Sequence, residues 1–349
     1  MRVTLIVGTR PQIIKSQPIV KELLHKKIDL QIIHTGQHYD YKMSQSFFEE
    51  LSIKKPNLNL NIKSNSSSKQ LSEIIAKLEK PLLRFSPDFV LVPGDTRSAL
   101  GAGLSASRLG FKLVHIESGA RSNDITLEEE INRRIIDNSS HILFAPTKNC
   151  LANLLNENIL GKSYFTGDSM YDVFLEFKKK LILDHKRKNQ ILMTIHRKAN
   201  IENPLKIKKI INLVNQITKL GFEIIFPLHP HTAKKIKSFN ISLKNIHTVS
   251  PVNYSKILTL LGESKMMITD SGGLQKEAYW MNTPCITIRK STEWVETLRK
   301  NNILLDNITS SSINKIRTIL NKPILHNKSS EFGNGNASKK MVSILRNNF

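Results

Sequence analysis

The sequence predicts an α/β protein made of two doubly wound, Rossmann-like domains that face each other across a cleft. Unbroken runs of Val, Ile and Leu alternate with amphipathic segments of helical length, as expected for parallel strands buried on both faces. The alternation pauses in the charged stretch 178–189 and then restarts, and 349 residues are enough for two cores. We therefore expect a first domain over 1–175, a second over 176–335, and a final helix, 336–349, that packs back on the first.

The individual elements follow from hydrophobic periodicity. In the first domain, strands are expected at 3–7, 30–34, 141–145 and 163–167, and within 89–96 and 112–121. In the second domain they are expected at 190–194, 222–226, 246–249, 266–269 and 285–288. The main helices are expected near Pro11, at 71–83, from 127–130 onward, and at 204–220, 273–280 and 337–347. The first has a core-facing stripe, and the polar segment 63–69 reads as a mobile loop. The stripe consists of Ile13, Ile14, Ile19, Leu23 and Leu24.

Composition is that of a globular protein, with 40% hydrophobic and 23% charged residues. No apolar stretch approaches the roughly 20 residues that span a bilayer. The amino terminus also lacks the apolar region of a signal peptide. Cys150 and Cys285 lie far apart among apolar neighbours, so we expect two buried free thiols and a cytoplasmic protein.

The net charge of +23 raises the question of nucleic acid or an anionic membrane as partner. The lysines are scattered along segments of helical pattern, such as 178–180 and 206–209, and no nucleic-acid motif accompanies them. A phosphate-bearing substrate would also favour positive charge. We therefore predict neither a nucleic-acid nor a membrane partner.

Two of the apolar runs end in an acid next to glycine, at Asp95 and at Glu117. In parallel sheets the ligand crevice lies outside the carboxyl ends of the strands. Carboxylates at such an edge are costly unless they bind or react with something. This pair is the first candidate for the chemistry.

Two turns are suited to binding phosphate. Residues 8–11 follow a strand and open a helix, and Arg10 adds a bidentate fork. The turn Ser271-Gly272-Gly273 would let a diphosphate approach the next helix closely, and Glu277 could accept the hydroxyls of a ribose. The fingerprint G-x-G-x-x-G is absent, which argues against a nicotinamide, and we predict neither a cofactor nor a metal.

Histidines and acids elsewhere carry weaker signals. His196, followed by Arg197, and His229 both end strands of the second domain. A lone histidine is more often structural, but a His-Arg pair at a strand end is well placed to meet phosphate. Glu129 and Glu130 lie in the first turn of a helix, where acids commonly complement the dipole, so spacing alone does not select them.

Taken together, these motifs resemble the non-hydrolysing UDP-N-acetylglucosamine 2-epimerases, which have the glycosyltransferase-B architecture. The resemblance covers nearly the whole chain. Its motifs are Gly8-Thr-Arg-Pro-Gln-Ile-Ile-Lys15, Gly36-Gln-His38, Gly94-Asp-Thr96, His115-Ile-Glu-Ser-Gly-Ala-Arg121, Glu129-Glu-Ile-Asn-Arg133, His196-Arg197, Asp270-Ser-Gly-Gly-Leu-Gln-Lys-Glu-Ala278 and Phe332-Gly-Asn-Gly335.

The resemblance implies an activity and a role for each matching residue. UDP-GlcNAc and UDP-ManNAc would be interconverted by elimination of UDP to 2-acetamidoglucal and re-addition. Asp95, Glu117 and Glu129 would be the acid/base carboxylates, with His196 catalytic or in contact with the diphosphate. A homodimer is also implied. The predicted UDP-sugar-binding residues are Arg10, Lys15, Arg133, Arg197, His229, Ser271, Gly272, Gly273 and Glu277.

Two further implications concern regulation and substrate. Bacterial members bind a second UDP-sugar as activator, at positions that match Gln37, His38, Lys69 and Gln70. The family's usual Thr-Glu-Arg-Pro-Glu is here Thr292-Glu-Trp-Val-Glu296, which leaves open a 2-epimerase of UDP-2,3-diacetamido-2,3-dideoxyglucuronate.

Other classes also stay open. One is a hydrolysing epimerase, and another is a glycosyltransferase of the same architecture, which would have no evident use for the three acids. A basic nucleic-acid binder is the non-enzymatic alternative.

Overall fold

The computed structural model describes residues 1–36, 53–64, 66–183, 186–298, 302–322 and 330–349. It divides into two compact units: unit 1 comprises Met1–Glu176 with Ser329–Phe349, and unit 2 comprises Phe177–Lys328. Gln37 and His38, two of the predicted activator positions, lie outside the described residues. Within the described part of the chain, no helix is both long and apolar enough to cross a membrane.

The described strands of unit 1 form one parallel sheet in the order β3-β2-β1-β4-β5-β6-β7. Its core forms where apolar side chains of the sheet meet the helices packed on it; Ile74, Leu78 and Leu82, for example, are completely buried. The strands are β1 (Arg2–Val7), β2 (Asp29–His34), β3 (Leu58–Asn59), β4 (Phe89–Pro93), β5 (Lys112–Ile116), β6 (Ile142–Ala145) and β7 (Lys162–Phe165). The helices are α1 (Arg10–His25), α2 (Ser67–Phe85), α3 (Arg97–Arg108), α4 (Glu128–Ser139), α5 (Lys148–Asn156) and α6 (Ser169–Lys178).

Unit 2 repeats the arrangement with a parallel sheet in the order β10-β9-β8-β11-β12-β13 among the described residues. The strands are β8 (Lys188–Thr194), β9 (Glu223–Pro227), β10 (His247–Val249), β11 (Ser264–Thr269), β12 (Cys285–Thr287) and β13 (Asn302–Leu304). The helices are α7 (Lys198–Ile201), α8 (Pro204–Thr218), α9 (Pro230–Ser238), α10 (Tyr254–Glu263), α11 (Gly272–Trp280) and α12 (Ser312–Leu320), with a 3-10 turn at Val295–Thr297.

The final helix, α13 (Ala337–Asn347), belongs to unit 1 and packs on α1. The carboxylate of Asp172 in α6 accepts hydrogen bonds from the first two backbone N–H groups of α13, at 3.1 Å from Ala337 and 2.8 Å from Ser338. Burial raises the pKa of Asp172. This cap anchors the carboxyl-terminal helix to its unit.

Each sheet reverses its strand order at one point, between β1 and β4 in unit 1 and between β8 and β11 in unit 2. Ligands of doubly wound sheets bind at the carboxyl ends of the two strands at this point. The segments that follow these strands are therefore the places to examine: 8–10 and 94–96 in unit 1, and 195–197 and 270–273 in unit 2.

The prediction of two Rossmann-like α/β sheets is confirmed, as are the buried free thiols of Cys150 and Cys285. Burial raises the pKa of the Cys285 thiol to about 12. Two predicted details are wrong. Leu24 is 43% exposed rather than part of the buried stripe, and α2 begins at Ser67, inside the segment predicted to be a loop.

The sequence also missed β3, β13 and α12. The two strands have only two and three residues, so they are too short for a hydrophobic pattern to show. Both lie at the edges of their sheets.

Candidate active site

The strand ends of unit 1 bring two of the predicted acids, Asp95 and Glu117, together around Gly94. Glu117 follows β5, and its Oε2 is ion-paired with Lys15 Nζ on α1. A Cβ built on Gly94 would lie 3.1 Å from Lys15 Nζ and 3.5 Å from Glu117 Oε2. The ion pair therefore packs directly beside the turn that carries Asp95.

Glu117 has a backbone conformation that L-residues rarely adopt, with φ at +71°. Such a conformation costs on the order of 1–3 kcal/mol and persists only where the surroundings impose it. Two residues later, Gly119 also has a positive φ, and a Cβ there would lie 2.2 Å from the backbone oxygen of Cys150. The turn after β5 is thus held in a strained shape that aims a carboxylate at the strand edge.

Asp95 is held by two residues of α4. Its Oδ2 accepts a 2.5 Å bond from Arg133 Nη2, and its backbone oxygen accepts a 2.8 Å bond from Asn132 Nδ2. The Asp95 side chain is 31% exposed, whereas that of Arg133 is 5% exposed. Arg133, which the sequence suggested as a substrate ligand, here pairs with a candidate catalytic carboxylate.

The structure separates three consecutive glutamates at the start of α4. Glu128 forms a bidentate pair with Arg97, at 2.5 and 2.8 Å. Glu130 is completely buried and accepts bonds from the backbone and hydroxyl of Ser122. Glu129 is exposed, and its carboxylate has no hydrogen-bonding partner among the described residues. Of these three glutamates, Glu129 is the one that is exposed and has no hydrogen bond to a described residue.

The turn after β1 is tied to the same edge by Gln12. Its Oε1 accepts bonds from the backbone N–H groups of Gly8 and Thr9, and its Nε2 donates a 2.7 Å bond to the backbone oxygen of Pro93. This bond joins the start of α1 to the end of β4, next to Asp95. Arg10 is half-buried at the first residue of α1, where the helix dipole favours an anion.

In unit 2, Asp270 organises the turn after β8. This completely buried carboxylate accepts bonds from the backbone N–H groups of His196 and Arg197 and from the Asn200 side chain. The His196 ring lies 3.3 Å from Asp270 through Nδ1, and its side chain is 49% exposed. Asp270 therefore orients a histidine that is still accessible to a ligand.

The small residues that open α11 differ from one another in their surroundings. Ser271 caps the helix by accepting a 3.4 Å bond from Leu274 N. A Cβ on Gly272 would meet Glu293 Oε1 at 2.8 Å and Trp294 Nε1 at 3.1 Å, so a side chain at this position would have to displace packed neighbours. A Cβ on Gly273 would meet nothing closer than the Ser271 hydroxyl at 3.8 Å, so the open side of the turn is at Gly273.

Residues of the variant motif 292–296 lie inside unit 2. Trp294 is 3% exposed, and Lys276 Nζ lies 3.9 Å from the centroid of its ring, a cation–π contact. Arg289 Nη2 donates a 2.6 Å bond to Glu293. Trp294, which stands where the family usually has Arg, therefore packs inside unit 2 against the start of α11. Glu277 is also nearly buried, at 2% exposed.

The remaining predicted residues lie apart from these strand ends or make contacts with nearby residues. His229 caps α9 by accepting a 3.3 Å bond from His231 N, and it is exposed. Lys69 is exposed on α2, and Gln70 Oε1 accepts a 2.8 Å bond from Arg97. Within the described ranges, no group of three or more His, Cys, Asp and Glu side chains could hold a metal ion.

Sequence reasoning missed the buried residues that hold the candidate groups. Asp270 was visible in the motif before Ser271, but its role depends on contacts with residues more than seventy positions earlier. Asp137, on α4, was not singled out at all, although it accepts a bond from the N–H of Gly119 in the strained turn.

Comparison with known proteins gives consistent results. A family model described as UDP-N-acetylglucosamine 2-epimerase matches residues 21–346. A UDP-N-acetylglucosamine 2-epimerase of Methanococcus maripaludis is 41% identical, over 99% of this chain and 98% of that protein. A UDP-2,3-diacetamido-2,3-dideoxy-D-glucuronate 2-epimerase of Pseudomonas aeruginosa is 36% identical over 99% of both. The crystal structure of Methanocaldococcus jannaschii UDP-GlcNAc 2-epimerase with UDP-GlcNAc and UDP is 38% identical and has a TM-score of 0.93, covering 99% of this chain and all of that one.

Proposed function

This chain belongs to the UDP-N-acetylglucosamine 2-epimerase family, and on that premise we propose that it interconverts UDP-GlcNAc and UDP-ManNAc. The observation that carries the proposal is the set of candidate acids in unit 1: Asp95 after β4, Glu117 after the neighbouring strand β5, and Glu129 on α4. Asp95 and Glu117 are held by cationic partners, and Glu129 is exposed and has no hydrogen-bonding partner among the described residues. Inversion at a carbon that bears hydrogen requires groups that remove and return a proton, and carboxylates can do both.

The reaction follows from the chemistry of C2. No carbonyl next to C2 acidifies its proton, so the bond between C1 and the UDP oxygen must break as the proton leaves. A carboxylate accepts H2, the electron pair forms the C1–C2 double bond, and UDP leaves with the bonding electrons. UDP then adds back to C1 while a proton is delivered to the opposite face of C2. Epimerisation therefore needs one base and one acid whose protonation states differ.

We assign the proton transfers to Asp95, Glu117 and Glu129 in unit 1, with His196 of unit 2 as the fourth catalytic group. Lys15 and Arg133 hold two of the carboxylates through the ion pairs described above. The departing UDP is stabilised by donors at helix N-termini and by cationic side chains. In this proposal the UDP-sugar ligands are Arg10, Lys15, Arg133, Arg197, His229, Ser271, Gly272, Gly273 and Glu277.

A second candidate substrate has a specific observation in its favour. The Pseudomonas aeruginosa relative named for UDP-2,3-diacetamido-2,3-dideoxy-D-glucuronate matches along the whole chain. The C2 chemistry is the same for both sugars, so the acids do not discriminate between them. The second sugar differs from GlcNAc at two positions: it has an acetamido group instead of a hydroxyl at C3, and a carboxylate instead of a hydroxymethyl group at C6.

Assembly, location and activation complete the proposal. We infer a cytoplasmic homodimer, which light scattering of the purified protein tests. We also infer activation by a second UDP-sugar through Lys69 and Gln70 together with Gln37 and His38. A rate that rises hyperbolically with substrate, with no lag and no second bound sugar, contradicts the activation.

The deciding experiment is proton NMR of UDP-GlcNAc in D2O with purified protein and no added nicotinamide. UDP-ManNAc formation with loss of the H2 signal is expected, because the removed proton is replaced from solvent. Free ManNAc with UDP indicates a hydrolysing enzyme instead. An unchanged spectrum contradicts the UDP-GlcNAc assignment, and the same tube with the diacetamido-glucuronate sugar then tests the second candidate.

A further inference from the structure

The two turns that carry Asp95 and Glu117 are joined through one buried histidine. His115 lies on β5, two residues before Glu117, and is completely buried. Its Nε2 lies 2.9 Å from the backbone oxygen of Gly94, the residue before Asp95. Its Nδ1 lies 2.6 Å from Asp137 Oδ1.

Asp137 completes the connection to the second turn. Its other oxygen accepts a 3.1 Å hydrogen bond from the N–H of Gly119, two residues after Glu117. The same oxygen forms a 2.7 Å ion pair with Arg121. Burial alone would raise the pKa of this completely buried carboxyl, but His115 and Arg121 outweigh it and lower the pKa. A chain of contacts therefore runs from Gly94 through His115 and Asp137 to Gly119.

The donors and acceptors of this chain define the protons on the ring. A backbone oxygen can only accept, so Nε2 of His115 carries a hydrogen and donates it to the Gly94 oxygen. The contact between Nδ1 and Asp137 contains one further hydrogen, and Arg121, after β5, places its charge beside the same carboxyl group.

We propose that His115 and Asp137 form a positioning pair that fixes the spacing of Asp95 and Glu117, with Nε2 of His115 as the donor to Gly94. The pair touches neither substrate nor the reacting atoms, and this role rests on the proposed epimerase function. Its importance follows from the strain in the turn after β5, where Glu117 has a positive φ and so needs an external restraint. A displacement of a catalytic group by about 1 Å can lower the rate about 100-fold.

Two single variants each cut one link. His115→Gln keeps a donor near the position of Nε2 and loses the contact with Asp137, whereas Asp137→Asn keeps the shape and loses the charge. In both, we expect kcat to fall about 100-fold with KM within about threefold and UDP affinity in calorimetry unchanged. His247→Gln removes an exposed histidine–glutamate pair at 2.8 Å in unit 2 and serves as the matched control, with wild-type activity expected.

A structural role alone would lower the melting temperature of these variants and leave kcat of the folded enzyme near the wild-type value, and that outcome overturns the proposal. A second measurement does not depend on turnover. Nitrogen-15 NMR of histidine-labelled protein, with the His115 signal assigned as the one missing in His115→Gln, should show a hydrogen on Nε2. A bare Nε2 breaks the link to Gly94 and overturns the proposal, while absence of turnover in the wild type with this NMR signature intact counts against the epimerase function alone.

Discussion

Both units place a histidine–aspartate pair beside a strand end that carries candidate site residues, but the two pairs differ in exposure. In unit 1, His115 and Asp137 are both completely buried, with Nδ1 and Oδ1 2.6 Å apart. In unit 2, Asp270 is completely buried while the His196 side chain is 49% exposed, and the contact lengthens to 3.3 Å. A buried ring must direct both nitrogens to the protein. A half-exposed ring can direct one to a ligand, so the same two residue types serve two tasks.

The surroundings of the two aspartates sharpen this contrast. Asp137 connects to the turn after Glu117, and Asp270 connects to the turn that presents His196 and Arg197. In each case a buried carboxylate satisfies backbone N–H groups that would otherwise be unpaired at a strand end. The carboxylates hold the backbone, and the neighbouring side chains are left for chemistry or binding.

The largest effect is expected from the unit 1 acids. Asp95→Asn, Glu117→Gln and Glu129→Gln should each lower kcat by about 10² to 10⁴, because each removes a carboxylate of the proposed acid/base set. Glu79→Gln, an exposed glutamate of α2, is the control and should leave kcat unchanged. Steady-state kinetics measure both, and circular dichroism checks the fold. A variant that retains full activity removes its residue from the acid/base set.

The next effect tests the comparison of histidines directly. His196→Asn should lower kcat about 100-fold, the cost of one lost donor to developing charge, while changing the melting temperature little because the ring is half-exposed. His115→Gln should lower the melting temperature as well as kcat. Thermal denaturation of both variants measures this difference in melting temperature. Equal losses of stability would break the distinction between a ligand-facing and a protein-facing histidine.

The two glycines of α11 should separate packing from binding. Gly272→Ala places a methyl group against Glu293 and Trp294 and should cost about 1–3 kcal/mol of unfolding free energy. Gly273→Ala meets open space, so stability should be unchanged while UDP affinity falls about tenfold if phosphate approaches at this residue. Chemical denaturation and calorimetry with UDP measure the two quantities. If Gly273→Ala binds UDP with unchanged affinity, phosphate does not approach the protein at this residue.

The smallest effect concerns acid stability. The pKa of Asp137 is lowered in the folded protein, so its contribution to stability is present above its unfolded pKa of about 3.9 and is lost as pH falls through the folded value. Below about pH 4, the melting temperature of Asp137→Asn should therefore fall less steeply with decreasing pH than that of the wild type. If the melting temperature of the variant depends on pH as steeply as that of the wild type, other carboxyl groups control acid unfolding.

Much of the fold could be predicted from the sequence, because strands buried on both faces leave continuous apolar runs that need no partner to be recognised. The ends of β4, β5, β8 and β11 were located for the same reason. Short edge strands such as β3 and β13 could not be predicted, since two or three residues carry no period. Motif order indicated the family, and the comparisons confirm it.

The sequence by itself determined which residue types stand at the strand ends and that two parallel sheets would carry them. Although the family resemblance singled out Glu129, the sequence could not show that its neighbours Glu128 and Glu130 are held by other residues, or that Lys15 pairs with Glu117, 102 residues away. It also could not separate Gly272, enclosed by Glu293 and Trp294, from the open Gly273. Tertiary structure decided these, because hydrogen bonds and packing between distant segments depend on where the sheets bring them, whereas periodicity and turn chemistry act between near neighbours in the chain.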